Sequence, residues 1–255
     1  MATYKKRGFK PKNKEEEQQF DEQESTTAEV FSTLDESASK SEEWVSKNQN
    51  YILGFIGVIA AAVLLYLGYD QFFQQPKEAS ASNELFYPQQ YFDQAVNAGV
   101  QQDSLYNLAL NGAEGKYGFL DIIDNYSGTD AANLATYQAG TAYMNMQKYE
   151  EAIDYLEDFS ADDDIIAPVA KGRIGDAFMQ LDQASEALGY YEQAFKLSTN
   201  DYSTPVYLYK AGVAALELKQ NDKALQYFQR IKDDFSSSAQ AQSIDAFIGM
   251  AKSGK

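Results

Sequence analysis

The sequence contains neither cysteine nor histidine among its 255 residues. Without cysteine there are no disulfides, so a folded domain must depend on a sizeable buried core. Without histidine, Ser–His and Cys–His nucleophile pairs are excluded, and so is the commonest metal ligand. No nucleophile motif, phosphate-binding loop or metal-ligand cluster stands in the sequence either. We therefore expect no enzyme activity and no cofactor.

Positive charge is scarce. The chain has 21 Lys and Arg against 38 Asp and Glu, a net charge of −17. Residues 51–255 carry 13 basic and 27 acidic residues, and 13 − 27 gives −14. Because this part would repel phosphates, we expect it to bind neither nucleic acid nor an anionic lipid surface. The triplet Asp162-Asp163-Asp164 allows a weak calcium contact, but a solvated loop is favoured because the ligand spacing of a calcium loop is missing.

Residues 51–69 form an uncharged run of nineteen residues, YILGFIGVIAAAVLLYLGY. Three interpretations are a cleaved export signal, a buried helix of a soluble protein and a membrane anchor. About 20 apolar residues cross a bilayer, whereas the apolar part of a signal peptide is shorter and stands near the first residue. A buried soluble helix would show one polar face, and this run shows none. The sequence therefore predicts a transmembrane helix with its flanks over residues 44–75.

The distribution of basic residues predicts the orientation of this helix. After it, Lys77 is the only basic residue before Lys116. The basic residues before it are Lys5, Lys6, Arg7, Lys10, Lys12, Lys14, Lys40 and Lys47. Because positive residues stay in the cytoplasm, we expect a single-pass protein with a cytoplasmic N-terminus and an exported C-terminal domain. Gly54, Gly57 and Ala61 lie on a similar face of the helix and would permit close approach of another membrane helix.

Residues 1–43 are polar and of low complexity, with few apolar residues. Such a segment cannot offset the entropy of ordering, so it is predicted to be a disordered cytoplasmic tail. Its basic block, residues 5–14, leaves a second interpretation open, in which it contacts ribosomal RNA, anionic lipid or a cytoplasmic partner.

Three segments of the C-terminal part align as internal repeats: residues 135–159, 170–194 and 207–231. Their glycines are offset by 35 and 37 positions. The matching small residues are Gly140, Gly175 and Gly212, and then Ala152, Ala187 and Ala224. The matching larger positions hold Tyr143, Phe178 and Ala215, then Leu156, Tyr191 and Phe228, then Phe159, Ala194 and Ile231.

Each repeat has two blocks of apolar residues at helical spacing, separated by a short polar turn. This pattern predicts a helix hairpin, with small residues where two helices approach and large residues between neighbouring hairpins. The expected turns are 147–148, 181–183 and 219–222. Pro168 and Pro205 are expected at or next to the first position of a helix, where the missing N–H costs little.

Further helices are predicted on both sides of the three repeats. A degenerate hairpin is expected from helices at 84–96 and 117–128, separated by an insertion at 97–116. This insertion carries a function or merely caps the stack. Residues 237–252 are amphipathic and predict a final capping helix.

The pattern resembles the tetratricopeptide repeat, which has small residues at its eighth and twentieth positions and bulky ones at its eleventh and twenty-fourth. Ala215 departs from it, as do Thr136, Lys171 and Leu208, where a Trp is usual. The resemblance implies an all-α solenoid over residues 83–252, with a concave groove that binds a peptide or helix of a partner protein. Carrying the family's groove positions over gives Tyr137, Thr141, Met144, Asn145, Asp176, Met179, Gln180, Tyr209, Val213 and Glu217.

The order of tail, single anchor and short repeat domain resembles the YfgM-like ancillary subunits of the bacterial SecYEG translocon, over roughly residues 44–252. This resemblance implies a protein of the bacterial inner membrane with its repeat domain in the periplasm. It also implies the translocon and a PpiD-type membrane-anchored peptidyl-prolyl isomerase as partners, acting on emerging polypeptides. The alternative is a structural scaffold of another envelope complex, in outer-membrane assembly, division, secretion or gliding.

Overall fold

The protein is described by a computed structural model over residues 44–98, 102–197 and 199–254. The predicted tail, residues 1–43, therefore lies outside the described residues. The chain divides into two compact units, Met1–Tyr69 and Asp70–Lys255.

The described part of the first unit is one helix, α1, over residues 44–69. Among the described residues, α1 lies in the one helical stretch that is long and apolar enough to cross a membrane. None of the apolar part of this stretch is buried. At Gly54 and Gly57, an added methyl group would meet no atom within 4 Å. Ala61 is also exposed. These three positions are therefore open, and their role as a helix contact stays a prediction.

The second unit is built from a series of helices. A π-helical turn, Asp70–Gln74, opens it, and a short 3₁₀ helix, Gln240–Ser243, precedes its last helix. The α-helices are α2 (Gln75–Glu84), α3 (Phe86–Asn97), α4 (Gln102–Asn111), α5 (Phe119–Asn125), α6 (Asp130–Asn145), α7 (Tyr149–Asp158), α8 (Ile166–Gln180), α9 (Ala184–Leu197), α10 (Thr204–Glu217), α11 (Asn221–Asp234) and α12 (Ile244–Ser253).

The three predicted hairpins are α6–α7, α8–α9 and α10–α11, and they stack in chain order because α7 also packs on α8 and α9 on α10. The last helix, α12, packs on α11 as the predicted cap. The all-α solenoid is therefore confirmed. Its buried side chains form neighbouring clusters along the stack, as expected when no single hairpin can bury its own apolar face.

The glycine of each repeat sits where the two helices of its hairpin approach most closely. A Cβ atom there would lie well inside normal contact distance of the large side chain sixteen positions later. From this added Cβ, the distance is 2.7 Å to Leu156 Cγ at Gly140, 2.6 Å to Tyr191 Cε1 at Gly175 and 2.3 Å to Phe228 Cε1 at Gly212. The glycine and the large residue sixteen positions later therefore recur in each repeat because they contact each other between the two helices of the hairpin.

The three hairpin turns share one backbone geometry. Gln147, Asp182 and Lys219 adopt the left-handed conformation, with φ of 59°, 57° and 59°. The N–H of each following residue then bonds back across the last turn of the first helix, at 2.8–2.9 Å, which is the Schellman termination. In the third repeat α11 already begins at Asn221, so the predicted turn 219–222 was too long.

The two prolines lie in the first turns of their helices. Pro205 is the second residue of α10, as predicted. Pro168 is the third residue of α8, one position further in than expected. Its missing N–H still costs little, because the first four N–H groups of a helix have no partner within that helix.

The pairing predicted for the degenerate hairpin was wrong in one respect. Helix α3 pairs with α4, which comes from the predicted insertion, and α5 packs on α6 instead. Helix α4 buries Tyr106, Ala109 and Leu110. This apolar face is short and lies among polar residues, so the sequence shows no clear helical pattern there. Residues 99–101 of the insertion lie outside the described residues.

Helix α2, which the sequence did not predict, is fastened to the beginning of α6. The carboxylate of Glu78 accepts the N–H groups of Asp130 at 2.7 Å and Ala131 at 3.0 Å. The ammonium of Lys77 donates to the carbonyl of Ser127 at 2.7 Å. An anion at a helix N-terminus is favoured by the free N–H groups and the helix dipole. The second unit therefore includes α2, which begins before residue 83 and is fixed to α6 by these bonds.

Candidate functional site

The first helices of the three hairpins, α6, α8 and α10, share one pocket with the second helices of the first two. Its volume is about 540 Å³. The pocket is lined by Met144, Tyr149, Asp176, Met179, Gln180, Tyr191, Tyr209, Lys210 and Val213. Three consecutive repeats contribute to it, so it exists only when the hairpins are stacked.

The structure brings six of the ten predicted groove residues into this pocket: Met144, Asp176, Met179, Gln180, Tyr209 and Val213. The other four lie elsewhere. Tyr137 packs against Phe159 in a tilted ring contact, with ring centres 5.0 Å apart. Thr141 is buried in α6, and Glu217 is exposed at the end of α10. The amide of Asn145 donates to the hydroxyl of a buried tyrosine of α4 at 2.6 Å.

Sequence reasoning missed three residues of the pocket, namely Tyr149, Tyr191 and Lys210. Lys210 stands two positions before the repeat glycine and three before Val213, so it shares that face of α10. Tyr191 was assigned to the core, and it is indeed buried, but its hydroxyl points into the pocket. A search for polar residues one helical turn before the predicted groove positions would have found Lys210.

An ion pair stands at the centre of the pocket. The ammonium of Lys210 on α10 lies 2.7 Å from both carboxylate oxygens of Asp176 on α8. The hydroxyl of Tyr191 donates to Asp176 Oδ1 at 2.8 Å. Both charged side chains keep about a third of their surface exposed. The pair therefore remains accessible to a ligand while three helices hold it in place.

The environment of the pair raises the pKa of two neighbouring tyrosines. Burial, and then the negative charge of Asp176, raises the pKa of Tyr191 far above its ordinary value. The same two causes raise the pKa of Tyr207 to about 12. The ammonium of Lys210 lies over both rings, 5.9 Å and 5.8 Å from their centres. Both hydroxyls therefore stay protonated at neutral pH, so Tyr191 acts as a donor to the carboxylate.

The remaining wall of the pocket is largely apolar. Met144 and Met179 bring flexible thioether side chains, which adapt to irregular apolar surfaces. The ring of Tyr209 is fixed by Phe247 of α12, with ring centres 4.9 Å apart. Together with Val213 these residues offer an apolar surface beside one ion pair. Such a surface suits a segment that has both an apolar side chain and a polar group.

Three buried polar atoms of α6 and α8 have no hydrogen-bond partner among the described residues: Gln138 Oε1 and Thr141 Oγ1 of α6, and Arg173 Nε of α8. Arg173 and Gln138 hold the same position in their repeats as Lys210, two residues before the glycine. A polar side chain therefore holds this position in all three repeats.

The acidic triplet behaves as a loop. Asp163 accepts the N–H groups of Ile165 at 2.8 Å and Ile166 at 2.5 Å. These backbone bonds hold the pKa of its carboxyl below the ordinary value. Within the described ranges, no group of three acidic side chains is placed to hold a metal ion. The Asp163 carboxylate thus accepts hydrogen bonds from the backbone at the N-terminus of α8.

Comparison with known proteins agrees with this architecture. Residues 137–194 and 173–239 match the family model described as tetratricopeptide repeat. No curated protein matches the chain.

Two solved structures resemble the fold. The MamA protein is 17% identical, with 68% of this chain and 81% of that chain covered and a TM-score of 0.44. A kinesin light chain protein of nearly identical TPR-like repeats, from Podosopora anserina, is 12% identical, with 69% and 87% covered and a TM-score of 0.49. The family-model match identifies residues 137–239 as tetratricopeptide repeats, which form a protein–protein interaction module.

Proposed function

We propose that this protein is a single-pass membrane protein whose exported repeat domain binds a segment of a partner protein in the pocket between α6, α8 and α10. The observation that carries the proposal is the pocket itself, where an apolar wall adjoins the accessible Asp176–Lys210 pair. The unburied apolar helix α1 supports the anchor. The excess of Lys and Arg before that helix supports a cytoplasmic N-terminus.

The finer proposal is that the protein is an accessory subunit of the Sec translocon in the bacterial inner membrane. Its repeat domain faces the periplasm and works with a PpiD-type membrane-anchored isomerase on emerging polypeptides. This step rests on the resemblance in the order of tail, anchor and repeats. Gly54, Gly57 and Ala61 would then face a helix of the translocon.

Topology can be tested with single cysteines, because the natural chain has none. Ser253→Cys near the C-terminus should react with a membrane-impermeant maleimide in spheroplasts. Ser37→Cys should react only after the membrane is permeabilised. The reverse pattern, or equal labelling of both positions in intact spheroplasts, contradicts the proposed orientation.

The partners can be tested by affinity purification from gently solubilised native membranes, with an unrelated tagged single-pass protein as control. Enrichment of translocon subunits and a membrane-anchored isomerase is expected. Replacing residues 51–69 with an unrelated apolar helix should reduce translocon recovery if α1 makes the contact. Enrichment of a different envelope complex, without translocon subunits, would instead favour the scaffold alternative.

The pocket can be tested in the same purification. Met179→Glu places a charge on the apolar wall and should abolish recovery of the partner that binds there. Met250→Glu is the matched control, because Met250 is exposed on α12 away from the pocket. Equal recovery with both variants would show that the pocket does not hold the partner.

A further inference from the structure

A second surface of the repeat domain lies outside the pocket, at the loops that precede α8 and α10. Among the described residues from 75 to 254, ten large apolar side chains are exposed, and three of them stand at these two loops. Ile165 is 64% exposed, Ile166 46% and Tyr202 86%. Concentrated exposed apolar side chains mark interaction surfaces more often than single ones do.

The two loops are joined by a side-chain hydrogen bond. The amide of Asn200 donates to the carbonyl of Asp164 at 3.1 Å, which ties the loop before α10 to the loop before α8. The side-chain oxygen of Asn200 accepts the N–H groups of Tyr202 at 2.9 Å and Ser203 at 2.7 Å. These bonds order the backbone that carries Tyr202, so a partner that covers its side chain need not order that backbone as well.

Acidic residues adjoin these apolar side chains along the chain. Asp162, Asp163 and Asp164 precede the two isoleucines, and Asp201 precedes Tyr202. None of these carboxylates forms an ion pair with a described residue, and all four are exposed. A rim of one charge around an apolar centre selects a partner of the opposite charge, since rim charges govern specificity and association rate.

We propose that Ile165, Ile166 and Tyr202 form a docking surface for a basic, amphipathic segment of another protein, with Lys or Arg residues flanking its apolar side chains. This surface is called the acidic edge below. A second copy of this chain is disfavoured because its net charge of −17 would be repelled, and an anionic membrane is disfavoured for the same reason. The basic block at residues 5–14 is disfavoured as the occupant, because in the proposed topology it lies on the other side of the membrane from the repeat domain.

The test uses the full chain in nanodiscs of zwitterionic lipid and three labelled synthetic peptides of equal length. The first alternates Lys with Leu and Phe, the second replaces every Lys with Glu, and the third replaces every apolar residue with Ser. Fluorescence anisotropy measures binding, and empty nanodiscs correct for lipid partition. Only the first peptide should bind, and its affinity should fall as salt is raised, because exposed charges are screened within about 10 Å at 0.1 M salt.

Variants then locate the binding. Ile165→Ser with Tyr202→Ser should weaken the first peptide at least tenfold. The triple variant Asp162→Asn, Asp164→Asn and Asp201→Asn should weaken binding of the first peptide several-fold and flatten the salt dependence of that binding. Val96→Ser with Met250→Ser is the matched control, since these side chains are 54% and 55% exposed elsewhere, and it should change the affinity less than twofold.

Several results would overturn the proposal. They are equal binding of the Glu peptide, equal loss with the control variant, or no loss with the double variant at the acidic edge. A loss with Met179→Glu alone would assign the peptide to the pocket instead. A photocrosslinking residue at position 202 should label the first peptide, whereas one at position 96 should not. Because the acidic edge and the pocket use different residues, failure of one proposal is distinguishable from failure of the other.

Discussion

Gly175 gives the sharpest test of how the repeat pattern supports the pocket. In Gly175→Ala, the new methyl group would stand 2.6 Å from Cε1 and 2.8 Å from Cδ1 of the Tyr191 ring. Carbon atoms are attracted most at about 3.5–4.0 Å, so the ring must move by roughly 1 Å. Tyr191 is buried, and its hydroxyl is held by Asp176 at 2.8 Å. Movement of the ring therefore disturbs both the core and the pocket.

The expected magnitude follows from three contributions. Overpacking a core costs about 1–3 kcal/mol. Weakening a hydrogen bond to a charged group costs up to about 1.5–3 kcal/mol. Alanine favours the helix over glycine by about 1 kcal/mol, which offsets part of the loss. We expect a net loss of about 1.5–5 kcal/mol, which lowers the melting temperature by on the order of 3–20 °C for a chain of this size.

The assay is thermal unfolding of the full chain in detergent, followed by near-ultraviolet circular dichroism of its tyrosines. Gly189→Ala is the matched control, because it changes a helical glycine that has no atom within 4 Å of an added Cβ. It should stabilise the protein by about 0.5–1 kcal/mol. If Gly175→Ala melts at or above the temperature of the natural chain, the close approach of α8 and α9 does not require glycine, and the reasoning is refuted.

Three further results are expected. Glu78→Gln should lose about 0.5–2 kcal/mol of the capping of α6 and speed amide exchange at its first turn, whereas Glu84→Gln, on the same helix, should not. Lys219→Gly should stabilise by about 1 kcal/mol, because glycine adopts the left-handed turn conformation without strain, and an unchanged or lower melting temperature would contradict this. Burial and the charge of Asp176 raise the pKa of Tyr207 to about 12 when folded, while an unfolded tyrosine titrates near 10. The folded state then keeps a proton that the unfolded state loses, so this stability is complete below pH 10 and is lost as the pH rises towards 12. An equally steep loss of stability between pH 10 and 12 in Tyr207→Phe would argue against it.

The repeat units could be predicted because their signal is local. Each hairpin repeats small and large residues at helical spacing, and each glycine meets a side chain only sixteen positions away. The departure at Ala215, by contrast, has its reason in the stacking of neighbouring hairpins. In the first two repeats an aromatic ring at this position stacks on the second helix, with ring centres 5.4 Å apart. In the third repeat, the ring of Tyr227 instead packs against Phe195 of the preceding hairpin at 5.4 Å.

The N-terminal helices were harder to predict because their contacts are weakly patterned. Helix α4 has a short apolar face among polar residues, and its role depends on pairing with α3. Helix α2 has almost no apolar periodicity, and its position depends on Glu78, which meets the start of α6 more than fifty positions later. A carboxylate in a polar segment carries no sign of such a distant partner.

The sequence by itself determined the helical repeat architecture, the apolar run at residues 51–69 and the acidic character of the domain, because these follow from spacing and composition along the chain. Only the tertiary structure decided how the pocket is made. Lys210 reaches Asp176 across 34 positions, and Tyr191 reaches it across 15. The physical reason is that consecutive hairpins must stack to bury their apolar faces, and stacking brings together polar side chains that no local pattern connects.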